Sequence, residues 1–224
     1  GAPGQAAPEI TLHRLRPHGV DAASFEGREG LHGRGDLAKP VVFVNLHLHE
    51  YLPSAPRALW LDSDTIVQAD VGPLFRMRMS HALAAAPEGD GVLEVSRALL
   101  ALSNASDALA QVAHLRDDAF FNSGVLLVDL AAWRAQAERV RGVLARVGGL
   151  LGEQLALNAA FGPRDYDRLD ARWNLLGMGD NCTSCLRQEP YIREARILHW
   201  TAGPYPGFKP WRPRTAPHAR DHLF

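Results

Sequence analysis

Cysteine is nearly absent from this chain of 224 residues: only Cys182 and Cys185 occur, in the stretch NCTSC. No second CxxC and no nearby HxxxH completes a zinc ligand set around them, so they stand as a local disulfide, a pair of idle thiols, half a zinc site or a redox pair. Excess charge is also missing. A net charge of -1 and a pI near 6.9 exclude electrostatic capture of nucleic acid, which needs a basic face, and leave small molecules and neutral polymers as partners. Lysine is scarce, with Lys39 and Lys209 alone among 24 basic residues. The remaining basic residues are all arginine, and together with the heavy use of alanine this reads as a compositional habit rather than a binding signal. Long apolar runs are lacking too. None approaches the ~20 residues needed to span a bilayer, so the chain as given holds no membrane segment, and any anchor belongs to a longer form. The opening GAPGQAAP has no initiator Met, charged n-region or apolar h-region, and is expected to be a piece of something longer or processed.

What is present is ordinary globular composition, 46% hydrophobic and 22% charged, long enough for one well-buried core. The expected organisation is a single domain over residues 1–224 with an irregular Pro- and Arg-rich tail from 204. EITLHRL (9–15) alternates apolar and polar residues and predicts a short strand; residues 16–38 predict a surface loop. PVVFVNLHLHEYL (40–52) suits strand or buried helix equally, because β-branched valine favours one and the spacing of Val44, Leu48, Tyr51 and Leu52 the other. ALWL (58–61) predicts a strand covered on both faces, and GVLLVDL (124–130), after the polar FFNSG, predicts a second. Leu130, Trp133, Ala137, Val140, Leu144 and Val147 recur at helical spacing up to Gly148-Gly149, and GEQLALNAAF (152–161) predicts a shorter helix. Alternating strands and helices make the class α/β.

The chemistry starts at RALWLDSDTIV (57–67). Asp62 and Asp64 lie one residue apart at the carboxyl end of a predicted buried strand, where α/β folds place ligands. Two like charges so close either sit in water as a turn or share something positive. Paired oxygen ligands there suit a hard divalent cation such as magnesium or manganese, whereas a calcium EF-hand is excluded for want of a third ligand and a glycine where Ile66 and Val67 stand. In ILHWTAGPYPGFKPW (197–211), His199 is either a satisfied core histidine or a third ligand, and nitrogen ligation favours manganese. Lys209 offers a compact charge to a phosphate. Asn104-Ala-Ser106 and Asn181-Cys-Thr183 match the N-glycosylation pattern and tilt toward a secretory compartment.

Taken in order, YLPSAPRALWLDSDTIVQADVGPLF, FFNSGVLLVDLAAWR, GEQLALNAAF, RWNLLG, then ILHW and GFKPW resemble family 8 glycosyltransferases over residues 9–211. The nearest branch is the eukaryotic glycosyltransferase-8-domain-containing proteins and their galacturonosyltransferase-like relatives. The resemblance implies a GT-A fold, Rossmann-like, with a mixed, mostly parallel central sheet flanked by helices. It implies a retaining, manganese-dependent hexosyltransferase, magnesium being the alternative ion, with a UDP-hexose or UDP-hexuronic acid as donor and a glycan or other hydroxyl as acceptor. By the same resemblance, Asp62, Asp64 and His199 would hold the metal, and Asp62 or Ser63 would lie near the ribose. Lys209, with Gly203 or Gly207 in the place of the family's glycine, would meet the diphosphate. Asn122 and Gln154 would bond the donor sugar, Gln154 near its anomeric carbon. The implied compartment is the Golgi or another secretory lumen, and residues 87–118 with the tail are expected to meet the acceptor.

Four departures accompany the resemblance. The family's first nucleotide-binding strand lies before this chain's first residue. Asn45 stands where an arginine is usual, and Glu153 where an aspartate is. Four additional residues separate His199 from Lys209. Two rival readings follow. One is a GT-A-like module without catalysis and with an incomplete nucleotide pocket. The other is a haloacid-dehalogenase-type phosphotransferase with Asp62 as nucleophile and Asp117-Asp118 as its later acidic pair.

Overall fold

A computed structural model of the chain describes residues 9–16, 40–88, 92–102, 106–147, 150–178 and 189–201. The apolar run 58–61 forms β1 (Arg57–Leu61), and its neighbour in space is the longest strand, β4 (Phe121–Asp129). The two run antiparallel, Leu61 facing Val125 and Arg57 facing Asp129. β3 (Leu83–Pro87) lies antiparallel on the other side of β4, and the short β6 (Asp167–Arg168) continues the sheet parallel to β3, giving the order β1-β4-β3-β6. The mixed sheet that was expected is present. Within this four-stranded sheet, parallel pairing is confined to β3 and β6.

Alternation along the central strands covers both faces. Leu126 and Val128 of β4 with Leu83 and Ala85 of β3 enter one core cluster, while Val125, Leu127, Ala84 and Ala86 enter the other. On the first face pack α3 (Val92–Leu102), α4 (Ser106–Val112), α5 (Leu130–Val147) and α6 (Gln154–Phe161), the last following directly on the short β5 (Leu150–Glu153). α5 follows the predicted stripe, burying Leu130, Trp133, Ala137, Val140, Leu144 and Val147. α6 buries Leu155 through Phe161 on all sides and stops at Gly162, whose φ of 66° is the left-handed conformation that glycine takes at a helix end. On the second face, α2 (Gly72–Arg76) contributes Leu74, and the stretch before residue 175 contributes Leu169 and Trp173.

A second, two-stranded sheet sets up the site. β2 (Thr65–Val67) follows the DSD turn and pairs antiparallel with β7 (Ile197–His199), which follows α7 (Glu189–Glu194), so that Thr65 faces His199. On its other side β7 is held by residue 175: Leu175 N–H donates to the Ile197 carbonyl at 2.9 Å, and His199 N–H to the Leu175 carbonyl at 2.9 Å.

One expectation needs correction, and two readings become definite. EITLHRL is not a strand. Residues 9–16 have no regular structure, and Ile10 and Leu12 point into solvent, because alternation stabilises a strand only where a sheet edge and a core receive it; here Arg16 N–H and the His13 ring contact Tyr51 instead. The ambiguous run 40–52 is helical, a 3-10 helix (Pro40–His47) leading into α1 (Leu48–Tyr51), so packing of Phe43, Leu46 and Leu48 into the core outweighs the preference of valine for strands. The strand predicted from Gly124 begins three residues earlier, so that Asn122, Ser123 and Gly124 lie inside β4.

Candidate metal and donor site

Antiparallel pairing makes the carboxyl end of β1 and the amino end of β4 the same end of the sheet, so DSD and NSG meet. Asp62 N–H donates to the Gly124 carbonyl at 2.8 Å, continuing the ladder one residue past β1. The chain then turns, with Thr65 N–H and Oγ1 both donating to the Asp62 carbonyl at 3.1 and 2.8 Å. Trp60 Nε1 donates to Asp62 Oδ1 at 2.9 Å, and Trp200 N–H to the Asp64 carbonyl at 2.9 Å. Across β2 and β7, His199 Nε2 comes to 3.1 Å from Asp64 Oδ1 and 3.7 Å from Asp62 Oδ2.

Among the described residues these three form the one group of His, Cys, Asp and Glu able to hold an ion, their donor atoms all within 4.8 Å of one another. The side chains grade from 3% exposed at His199 through 16% at Asp64 to 39% at Asp62, so the cluster opens outward on one side. An ion about 2.1 Å from each donor sets neighbouring ligands about 3 Å apart. The observed separations are of that order, and two carboxylates with an imidazole suit manganese, magnesium or zinc.

The tautomer of His199 follows from the hydrogen bonds behind it. Gly124 N–H is unambiguously a donor and reaches Asn122 Oδ1 at 2.9 Å, which fixes the amide of Asn122. Asn174 therefore presents Nδ2 to that same oxygen, at 3.0 Å, and turns Oδ1 toward His199 Nδ1, at 3.0 Å. His199 thus carries hydrogen on Nδ1 and directs Nε2 at the two aspartates. A bare lone pair facing a carboxylate 3.1 Å away is repulsive, so a proton or a cation belongs between them. Replacing Asn174 with alanine removes the acceptor that orients the ring. A 10- to 100-fold loss of manganese affinity is expected, read by direct titration of the metal, with Asn174→Asp retaining most of it.

Asn122 joins this cluster to a second group of polar side chains. Its Nδ2 donates to Glu88 Oε1 and Gln154 Oε1, each at 3.2 Å, and Gln154 Nε2 donates to Glu88 Oε2 at 2.6 Å. Ser123 N–H and Oγ both donate to Gln154 Oε1, at 3.1 and 3.3 Å. Asn158 anchors α6 against β4 here. Phe121 faces Pro87, which has no N–H to offer, and Asn158 serves Phe121 instead, donating to its carbonyl and accepting from its N–H, each at 2.8 Å. Gln154, one turn earlier on α6, is thereby held beside Asn122 and Ser123.

Beneath Gln154 lies a buried pair. Asn45 Nδ2 donates to Glu153 Oε1 at 2.7 Å, while Asn45 Oδ1 is buried and has no partner among the described residues. Burial, reinforced by the charge of Asp62, pushes the Glu153 carboxyl up to about 7 against the lowering effect of its own backbone N–H, Asn45 and Ser123. The native state thus holds this proton to higher pH than an unfolded chain, where the value is 4.5. Between those two values the unfolded state ionises first, so stability falls as pH rises through the window and is level on either side. In metal-free protein, Glu153→Gln is expected to gain about 3 kcal/mol relative to wild type between pH 4.5 and 7.5, read from urea unfolding at each pH.

Of the residues singled out by sequence, Asp62, Asp64 and His199 converge, and Asn122 and Gln154 touch each other two hydrogen bonds away from His199. Ser63 is exposed at the tip of the turn. Gly203, Gly207, Lys209, Cys182, Cys185, the asparagines of both sequons and the tail lie outside the described residues. The phosphotransferase reading loses its acidic pair, since Asp118 is exposed and bound by Arg116. Glu88, Gly124 and Asn174 were not anticipated. Only Gly124 carried a signal, as a glycine interrupting an apolar strand where something approaches closely.

Comparison with known proteins agrees with this geometry. The model of "Glycosyl transferase family 8" matches residues 32–215. Glycosyltransferase 8 domain-containing protein 1 of Mus musculus is 25% identical over 210 residues, covering 83% of this chain and 54% of that protein. The Arabidopsis thaliana protein named "Probable galacturonosyltransferase-like 3" is 25% identical over 189 residues, covering 80% and 52%. The chain thus spans about half the length of the curated relatives it matches. In fold it is similar to the galactosyltransferase LgtC in complex with donor and acceptor sugar analogs (TM-score 0.53, 21% identity, 78% of this chain and 61% of that one). It is likewise similar to the glycosyltransferase GlyE of Streptococcus pneumoniae (TM-score 0.56, 20% identity, 81% and 42%).

Proposed function

The chain belongs to glycosyl transferase family 8, and from that premise we propose that it is a retaining, manganese-dependent hexosyltransferase that moves a sugar from a UDP-sugar to a glycan or other hydroxyl acceptor. One observation carries the reading: the Asp62, Asp64 and His199 cluster is hydrogen-bonded, through Asn174 and Asn122, to Gln154 and Glu88. A site for a cation and a site rich in hydroxyl-binding groups are therefore one structure.

Asp62, Asp64 and His199 would hold the cation, with Asn174 keeping the histidine in the tautomer that ligation requires. When bound, the ion supplies Lewis-acid stabilisation to the diphosphate as its bond to the sugar breaks. Asn122, Gln154, Ser123 and Glu88 would bond the hydroxyls of the sugar and hold its anomeric carbon toward the acceptor, a positioning effect that lowers the entropic cost of reaction. The acceptor is read as adding on the face the diphosphate leaves, with no two-carboxylate scheme of the glycosidase type. Ser63 at the ribose and Lys209 at the diphosphate complete the assignment. The proposed compartment is the Golgi or another secretory lumen, supported by the two sequons. The names of the relatives point to both neutral and acidic donors, and either a UDP-hexose or a UDP-hexuronic acid fits at this level.

The test is release of UDP by the full-length protein from a panel of UDP-sugars with manganese. Failure to bind manganese or UDP and to release UDP from any of them sinks the reading. A second reading, a module without catalysis, is favoured by β1. Among the described residues it pairs on one side only, and most of its apolar run is half-buried. Metal affinity without UDP affinity would support that reading over the first.

A further inference from the structure

Asp62 is the most open of the three cation ligands, and it stands where β1 gives way to a turn, a place where a carboxylate is ordinarily able to swing. Its backbone is held by the Gly124 carbonyl and by Thr65. Its side chain is held by Trp60. The β1 ladder runs on to Asp62, and residues two apart on a strand share a face, so the indole and the carboxylate lie side by side. Trp60 is half-buried against the core cluster on that face and delivers Nε1–H to Asp62 Oδ1 at 2.9 Å. An indole N–H donates and accepts nothing, so it favours an ionised carboxylate and ligates no ion itself. With Oδ1 engaged in this way, Oδ2 is the oxygen directed at His199 Nε2, 3.7 Å away.

We propose that Trp60 is a positioning residue for the cation: its indole N–H confines Asp62 to ligation through the single oxygen Oδ2 and thereby favours manganese or magnesium over calcium. Calcium takes about six to eight oxygens in a flexible shell and readily binds a carboxylate through both of its oxygens, whereas the smaller ions keep to about six ligands in octahedral array. Two-oxygen binding by Asp62 would require Oδ1 to turn to the ion. The indole cannot follow it, because its ring is packed on the core, so its N–H would lose its partner in a half-buried place. The cost falls on the ion that gains from the second oxygen. Discrimination thus comes from a group that never touches the metal. The inference rests on the cation site of the transferase reading and adds to it a residue outside the ligand set.

The test is calorimetric titration of manganese and of calcium, without nucleotide, into the full-length protein and two variants. Trp60→Phe keeps an aromatic ring against the core and removes the N–H. The second variant carries 3-benzothienylalanine at position 60, where sulfur replaces the N–H and the bicyclic shape is kept; it decides the matter if Trp60→Phe does not fold or if the two disagree. Wild type is expected to bind manganese more tightly than calcium. Removal of the N–H should weaken manganese binding about tenfold or more, with a smaller loss for calcium, so that the ratio of the two affinities drops about threefold or more. A general loosening of the turn would weaken both ions alike. A manganese loss below tenfold, or a ratio that drops less than threefold, would therefore overturn the proposal while the metal site stands. A wild-type protein that binds no manganese would remove the transferase reading and this inference with it.

Discussion

Gly124→Ala is expected to lower activity at least 100-fold and to weaken manganese binding at least tenfold, though the residue carries no functional group. A methyl at this position would lie 2.1 Å from His199 Cε1, 2.8 Å from Nδ1 and 2.9 Å from Asp62 Oδ2. Carbon atoms pack at about 3.5–4.0 Å, so the imidazole would have to retreat by more than an ångström. It has nowhere to go without cost: the ring is buried and bonded to Asn174 on one side and faces Asp64 on the other. Displacements of about 1 Å in a positioned group cost about 100-fold in rate. Overpacking should also destabilise the fold, by about 1–3 kcal/mol. Gly142→Ala is the control. Its methyl would meet nothing closer than 3.6 Å, inside α5, and it should stabilise the protein by about 0.5–1 kcal/mol with activity unchanged. Thermal unfolding and metal titration of the two variants separate steric exclusion at the site from a general intolerance of alanine.

Asp64→Asn should have an effect of the same size by a different route. The amide fills the volume of the carboxylate and leaves the backbone bond from Trp200 N–H to residue 64 in place, so β2 and β7 remain paired. What is lost is the charge 3.1 Å from His199 Nε2. A site of two carboxylates and an imidazole becomes one of a single carboxylate, and a hard divalent cation loses much of its attraction. At least a 100-fold loss of manganese affinity is expected, with the melting temperature of the metal-free protein changed little. A variant that binds manganese like wild type would place the ion elsewhere.

How much of this was legible in the sequence differs from residue to residue. Asp62 and Asp64 stood out because an apolar run that ends in two like charges conflicts with burial unless something positive joins them. The helical stripe from Leu130 to Val147 was legible because 3.6-residue periodicity repeats over five turns. His199 was visible only through the resemblance. It lies 135 residues from Asp64, and no local pattern reports the pairing of β2 with β7 that brings them together. Glu88 left no trace, and Asn174 entered only as part of the RWNLLG block without a role, since single polar residues at the end of a strand or after a short 3-10 turn look like ordinary surface positions. EITLHRL misled because alternation records a side-chain pattern without recording whether a sheet edge exists to receive it. The run 40–52 stayed ambiguous because what decides it, the core cluster that Phe43 and Leu46 join and the bond from Trp133 Nε1 of α5 to the Leu46 carbonyl, is set by residues more than eighty positions away.

The antiparallel pairing of β1 and β4 also explains why the site spans so much sequence. One end of the sheet receives the carboxyl end of one strand and the amino end of the other, and both carry their polar residues there. Asn122 then links the two halves, accepting from Asn174 and Gly124 while donating to Glu88 and Gln154. A change at Asn122 should therefore disturb the cation site and the sugar site together.

The most direct measurement is calorimetric titration of UDP into the full-length protein with and without manganese, repeated on Asp64→Asn. The account predicts UDP binding that depends on manganese in the wild type and is lost in the variant. UDP binding that is indifferent to manganese, or that survives unchanged in Asp64→Asn, would contradict the claim that the DSD turn and His199 form a metal site serving a nucleotide.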